Sequence, residues 1–448
     1  MNPLERAIHA QLVQHPRAKR LVQELYQGLG AMVPVKDRLP EEPLIIRSGF
    51  FFGFHDLCPW SSDGKRLLAH RCGHIPLRPP QPEDEVTIGY FEGEQQVGFV
   101  PLAETAAFNW QEGARLQWVG AGDQLIYNVV EGGRAHARRL DAKGGVAADY
   151  DVPVSSVSPD GRCAASYSFE RVRRYDLAYS YAGLSGASAD QAPSDDGLIL
   201  LDLASGQTKL LCSVRKLAQQ EPHRTMSGAY HYVSHCRFSP DSRRISFMHC
   251  WLLGPRRYSR LFAYDLIAGE LFAFPTSDWV SHHCWMSAGR VLAYAHTEHW
   301  GRHYHLWEYG SSHSEVVGSG TLTSDGHPQV YPEQRWLLID TYPDRFRQQH
   351  LILYDLQQQR RHNLLSLRIP TAYRYGLRCD FHPRWNRRYD AVCFDSAHTG
   401  VRSLCTFAQK LMRIDSFERA LTMMTTPVVG PSPSADRFDL HCEKSNHP

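Results

Sequence analysis

Residues 235–249 read HCRFSPDSRRISFMH. Apolar side chains alternate with polar ones on both sides of a Ser-Pro-Asp-Ser turn, the pattern of two half-buried antiparallel strands joined by a tight hairpin. The unit recurs. HDLCPWSSDGKRLLAH starts at His55, RLQWVGAGDQLIYN at Arg115, VSSVSPDGRCAASY at Val154, HCWMSAGRVLAYAH at His283, HPQVYPEQRWLLID at His327 and HPRWNRRYDAVCFD at His382, which makes seven copies with the first. A third alternating stretch follows each hairpin: TIGYFE, HARRLDA, LILLDLASG, LFAYDLIAG, HLWEYG, LILYDLQQQ and RSLCTF. Fourth strands show as VGFVPL, TKLLCSV and LFAFP.

Four short strands repeated seven times predict an all-β fold, a seven-bladed β-propeller of four-stranded antiparallel blades around a central channel. Length alone, 448 residues, suggests two or three domains, and the repeat replaces that count with one ring over residues 41–410. The repeat averages about 54 residues, longer than the roughly 40 to 50 of compact propeller blades, so the excess belongs to loops. The largest excess, 170–196, falls between the second and third strands of one blade; another, 219–232, precedes the fourth blade. EPLIIRS, 42–48, reads as an outer strand of the first blade that closes the ring. Ahead of it Leu4, Ile8 and Leu12, then Leu21, Leu25 and Leu29, follow helical spacing around Pro16. Residues 1–40 are therefore expected as a helical segment, packed on the propeller or offered to a protein partner. The 411–448 tail, Pro/Ser-rich and charged, is expected to be partly disordered.

With 49 Lys+Arg against 47 Asp+Glu, the chain lacks the basic excess of a phosphate-tracking surface, which argues against nucleic acid. No apolar run reaches the length of a membrane span or a signal-peptide core. Eleven cysteines without a CxxC pair, among them Cys163, Cys236, Cys250, Cys284 and Cys393 in strand-like segments, read as reduced core thiols. Together these features predict a cytoplasmic protein. GxSxG, P-loop, helix-opening GxGxxG and HExxH patterns are absent, which sets aside the corresponding hydrolase, NTPase, dinucleotide and zincin chemistries.

Residues that begin the first strands ring the mouth of a propeller channel. Here they are His55, Asn109 or Gln111, Val154, His235, His282 or His283, His327 and His382. The ends of the second strands form a wider ring on the same face: His70, Asn128, Tyr167, His249, His296, Asp340 and Asp395. Imidazoles gathered at a common axis can bind a divalent metal or act as a general base near neutral pH. The two inserts add Arg171, Tyr179, Tyr181, Arg224 and Tyr230; Arg forks match carboxylates, and Tyr can protonate a leaving oxygen. Trp60, Trp110, Trp118, Trp285, Trp336 and Trp385 sit at strand positions and read as blade packing.

GFHDLCPWSSDGKRLLAH, FERVRRYDLAYSYAG, SHCRFSPDSRRISFMH, SHHCW, DGHPQVYPEQRWLLIDTYPD and RCDFHPRWNRRYDAVCFDSAHTGVRSL together resemble the seven-bladed β-propeller polysaccharide lyases. Oligogalacturonate lyases and ulvan lyases are the named members, alongside relatives linked to polysaccharide biosynthesis. The resemblance spans about residues 44–408 and implies β-elimination at a uronic acid within an acidic oligosaccharide or polysaccharide. It implies a manganese ion held by histidines and a glutamine, with His283, His327, Gln329 and His382 as the matching set. The HPQ order around His327 departs from the family's pattern, so a metal-free Arg and Tyr site, or a structural zinc, stays open. His235 and His55 stand as acid-base candidates, Arg171 or Arg224 as carboxylate partner, and Tyr181 or Tyr230 as proton donor. The alternative is a non-catalytic propeller that binds glycan or protein in surface-polysaccharide biosynthesis.

Overall fold

The structure, a computed structural model, describes residues 33–409 except 94, 95, 176 and 332–334, together with positions 22, 27, 28 and 30. Seven four-stranded antiparallel sheets follow one another along the chain. Blade 1 spans 50–105, blade 2 117–150, blade 3 156–213, blade 4 230–273, blade 5 280–317 and blade 6 329–368. In each of these the strands run in chain order from the channel outward. Blade 7 takes Arg384–Trp385, Ala391–Ser396 and Ser403–Ala408 from the end of the ring and Ile45–Ser48 as its outermost strand. The 42–48 stretch therefore closes the ring in the last blade and not in the first, because Ile45–Ser48 pairs with Ser403–Thr406 in antiparallel register.

The same short-range chemistry recurs at each corner. In the first hairpin turns of blades 1, 3 and 4, Ser61, Ser158 and Ser239 donate to Asp63, Asp160 and Asp241, each at 2.6 Å. The same serines accept the N–H of the residue that opens the second strand. At the third-to-fourth corner, Asp202, Asp265 and Asp355 each accept two successive backbone N–H groups. These side chains satisfy donors that the ladder leaves open, which is why Asp and Ser sit at turns. Apolar faces then pack blade on blade: Phe247, Leu261, Phe262, Val291 and Trp307 of blades 4 and 5 are wholly buried in one core cluster that runs through blades 3 to 5. Each such side chain contributes about 1.5–3 kcal/mol. The cysteines named above belong to these layers; Cys236, Cys250 and Cys393 have no exposed surface.

Of the segment 1–40 expected as helical, the described positions 22, 27, 28 and 30 are in helical conformation, and the helix does not continue along the chain to the propeller. Residues 34–40 carry no helix, and Arg38 exchanges two backbone hydrogen bonds with Ser366 on the outer strand of blade 6. The positions from Leu4 to Leu21, and the tail 411–448, lie outside the described residues. Among the described residues no helix is long and apolar enough to cross a membrane.

Second-strand ends tie neighbouring blades. Asn128 of blade 2 accepts from Val154 N at 2.7 Å and donates to Val154 O at 2.9 Å. His70 of blade 1 accepts from Ala114 N. Asp395 of blade 7 accepts Phe52 N and Gly53 N of blade 1, both at 2.9 Å, with Arg384 3.4 Å away. Asp395→Ala leaves two buried donors and a buried guanidinium without their acceptor, so it is expected to cost about 3–5 kcal/mol. Denaturant unfolding of the variant measures this; a loss under 1 kcal/mol would mean that the blade 7 to blade 1 seam is held elsewhere.

Candidate functional site

Five histidines close the mouth of the channel around one phenylalanine. Phe54, 4% exposed, has ring centroids of His55, His382, His235, His327 and His282 at 4.6, 4.9, 5.2, 5.8 and 6.0 Å. Between the imidazoles, His282 and His327 lie 4.1 Å apart and His327 and His382 4.3 Å apart. Burial, followed by the charge of Arg237, pushes His55 well below the usual histidine range. Burial and then Arg257 do the same to His235, and burial and then His327 do it to His382. Neutral imidazole is the form that accepts a proton or a metal.

Three of the buried atoms here have no hydrogen-bond partner: His327 Nε2, His382 Nε2 and Asp380 Oδ1. The donor atoms of these three side chains lie within 4.8 Å of one another. Their surroundings prepare them as ligands. Asp340 accepts from His327 Nδ1 at 2.8 Å, which leaves the lone pair on Nε2. Burial opposes a proton on His327, and Asp340 outweighs it, so this ring lies above the usual histidine range. Arg378 Nε donates to Asp380 Oδ2 at 2.9 Å and leaves the other oxygen facing the pair of imidazoles. Two imidazole nitrogens and a carboxylate oxygen suit Zn²⁺ or Mn²⁺, so the residues present fit a divalent ion.

A cavity of about 210 Å³ lies beside these groups, lined by Tyr179, Tyr232, His235, Arg257, His282, Tyr342 and Arg378 among others. Its roof is the long insert of blade 3, folded as helix α1 (Phe169–Arg173) and a 3-10 turn at Leu177–Tyr179. The side chain of Ser168 caps α1 by accepting from Arg171 N. His282 is oriented by Asp325 at 3.1 Å. Arg378 reaches Tyr179 Oη at 3.5 Å and stacks over Tyr342 at 5.4 Å. Burial pushes the Tyr342 hydroxyl well above its usual range. His235 and His382 both hold positive φ, 54° and 45°. Such a conformation costs a non-glycine residue about 1–3 kcal/mol and gathers at functional sites.

Four sequence candidates meet here: His55, His235, His327 and His382. The structure places the others elsewhere. Arg171 is buried 2% exposed, donating to the carbonyls of His231, Asp190 and Gln191 and lying 4.2 Å over the Tyr230 ring. It fastens the insert to blade 4, and Tyr230 lies beneath it, outside the lining of the cavity. Tyr181 is sealed in the core, with its hydroxyl on Asn128 at 2.8 Å. Arg224 is exposed on the loop before blade 4. His283 turns to Ser246 at 3.0 Å, and its neighbour His282 takes the place at the mouth. Gln329 donates its amide to His55 O and lies outside the ligand trio.

Asp380, Tyr342, Arg257 and Arg378 were not singled out from sequence. Asp380 had a signal, since it stands two residues before His382 in an extended stretch, where i and i+2 share a face. Arg257 had none: it sits inside the third strand of blade 4 (Arg256–Asp265), which extends far enough to overhang the mouth.

No family model matches the sequence, and no curated protein does. Among solved structures the chain is similar to oligogalacturonate lyase from Vibrio parahaemolyticus, at 12% identity and a TM-score of 0.55. The match covers 83% of this chain and 96% of that one. A structure described as oligogalacturonate lyase in complex with manganese matches at 13% identity and a TM-score of 0.56, over 85% of this chain and 99% of that one. At such identities the likeness establishes the propeller fold.

The trio predicts stoichiometric binding of Mn²⁺ or Zn²⁺ that His382→Ala abolishes and that Asp340→Asn, acting through His327, weakens about 10- to 100-fold. Titration calorimetry on chelator-treated protein measures both. Equal affinity in wild type and His382→Ala would refute the assignment.

Proposed function

We propose that the protein is a lyase that cleaves uronate-containing oligo- or polysaccharide by β-elimination at the channel mouth. One observation carries the reading: three unpartnered ligand atoms, His327 Nε2, His382 Nε2 and Asp380 Oδ1, sit directly behind His282, Tyr342 and Arg378, which line a cavity together with Arg257 and His235. The likeness to oligogalacturonate lyases in fold supports it.

Elimination removes the proton at C5, next to the uronate carboxylate, and expels the glycosidic oxygen at C4. The C5 proton is only weakly acidic until the carboxylate charge is offset. Arg257 and Arg378, both half-buried in the cavity wall, supply fixed positive charge for that carboxylate and for the enolate-like anion that forms as the proton leaves. A divalent ion held by His327, His382 and Asp380 would add further electron withdrawal from the same carboxylate. His235 is the base: burial keeps it neutral, and its Nδ1 is held by Ser234 Oγ at 2.9 Å, which leaves Nε2 toward the cavity. Tyr342 is the acid: burial keeps its hydroxyl protonated, ready for the departing oxygen.

Absorbance of the unsaturated product, followed on polygalacturonate and other polyuronates with and without Mn²⁺, tests this directly. His235→Ala and Tyr342→Phe are each expected to lower kcat about 10²- to 10⁴-fold. No product from any uronate-containing polysaccharide, homopolymer or acidic-neutral heteropolymer, by folded protein refutes the reading, and glycan binding without product is what a non-catalytic propeller predicts.

The pH profile has a worked sign. His235 acts when deprotonated and its pKa is lowered, so kcat/KM holds as pH falls below 6.5 and drops only when His235 is finally protonated. Tyr342 acts when protonated and its pKa is raised, so the alkaline limb lies above the usual tyrosine range. A profile with an acid limb at an ordinary histidine pKa would remove His235 from the role.

A further inference from the structure

A second cavity, of about 350 Å³, opens on the same face between blades 2 and 3. Its floor is buried: Ala135, Pro153, Ser166 and Tyr167. Its rim is exposed: Arg134, Asp151, Ser185, Gly186 and Ser188. Both ends of the blade 3 insert build it, and the insert is fastened there by Ser185 N donating to Gly133 O at 2.7 Å. Helix α1 separates the two cavities: Val172 borders the mouth, while Ser168 and Glu170 border the second cavity. They are thus divided by a helix about 10 Å across.

Two features mark this cavity as built for a ligand. Ser166 in the floor has no exposed surface, and its Oγ has no hydrogen-bond partner, a cost that a bound molecule can relieve. Asp196, on the wall, has Arg171 Nε 3.8 Å away and accepts from the Gly197 backbone. Burial, which Arg171 offsets only in part, pushes its carboxyl up to about 6. The lining also selects. Asp151, Glu170 and Asp196 face one arginine, Arg134, so a carboxylate ligand is repelled. Among the described residues the side chains close enough to hold a metal ion are those of the mouth, not these. Glu170 already accepts from Ala135 N and Ser168 Oγ, so Asp151 and Asp196, together with the buried Ser166 hydroxyl, are the groups that meet a ligand, and they call for an uncharged one rich in O–H donors.

We infer that the cavity between blades 2 and 3 is a binding subsite for a neutral sugar residue. It rests on the carbohydrate reading of the mouth and deepens it: the substrate carries uronate at the histidine mouth and an uncharged pyranose beyond α1. A heteropolymer of alternating acidic and neutral sugars meets that demand, and a homopolymer of uronate does not.

Direct binding separates this inference from catalysis. Saturation-transfer NMR is run with methyl galactopyranoside and methyl rhamnopyranoside as probes, on wild type, Gly186→Trp, Asp196→Asn and His382→Ala. Gly186 has open space where a side chain would grow and no positive φ, so the tryptophan fills the cavity without straining the backbone. At least one neutral glycoside is expected to receive saturation from wild type. The signal should fall about tenfold or more in Gly186→Trp and severalfold in Asp196→Asn, and remain in His382→Ala. No transfer from either glycoside to wild type overturns the inference, as does a signal that Gly186→Trp leaves unchanged or that His382→Ala removes. Absence of elimination with this pattern intact would refute the lyase reading alone.

Discussion

The carboxylate of Asp340 is buried at the junction of blades 6 and 7, where it accepts the backbone N–H of His327, the imidazole Nδ1–H of the same residue and the backbone N–H of His382. Hydrogen bonds to a charged group are worth about 1.5–3 kcal/mol each, and here they also set geometry. One bond selects the tautomer of His327; two others bring the loops that carry His327 and His382 to a common spacing. Because Asp340 ends a central strand, the positions of both rings follow from the rigid part of the blade and not from a flexible loop. Asp395 makes a similar link one blade further on, to Phe52 and Gly53, and so sets the approach of Phe54 and His55.

Around that junction the mouth combines opposite demands. Phe54 and the packed imidazoles exclude water, which favours neutral histidine, while Arg378 keeps its charge because Asp380 is beside it. Exclusion of water raises the worth of every remaining charge. Neutral His55, His235 and His382 beside fixed cations are the combination that the proposed elimination requires.

The ring was legible in the residues because its signals are local. Alternation over five to eight residues, the Ser-x-Asp corners of blades 1, 3 and 4 and the Asp that ends the third strand in blades 3, 4 and 6 act within one hairpin, and these Asp and Ser side chains fill the roles their types suggest. The histidines at the strand starts were legible for the same reason, since their place in the repeat fixes their place at the axis. What failed was orientation and identity within a stretch. A register shift between Val280 and His283 lets His282 face the mouth while His283 turns to Ser246, and no alternation rule anticipates a bulge. Arg matches carboxylates, but the fork of Arg171 matches equally well two carbonyls of the insert, Asp190 and Gln191, and one of the first strand of blade 4, His231. Asp340 and Asp395 hold the places in the wider ring that the repeat predicts, and their burial makes them seams between blades.

Ring closure has a consequence for synthesis. Ser48 and its partner Ser403 are 355 residues apart, and at about 5–20 residues per second the ribosome needs roughly 20–70 s between them. Through that interval Ile45–Ser48 has left the tunnel with no strand to join. The ligand trio, drawn from residues 327, 380 and 382, is among the last parts to emerge. Blades 1 to 5 can therefore pack before the histidine mouth is complete, and its last members arrive together with the strand that locks the circle.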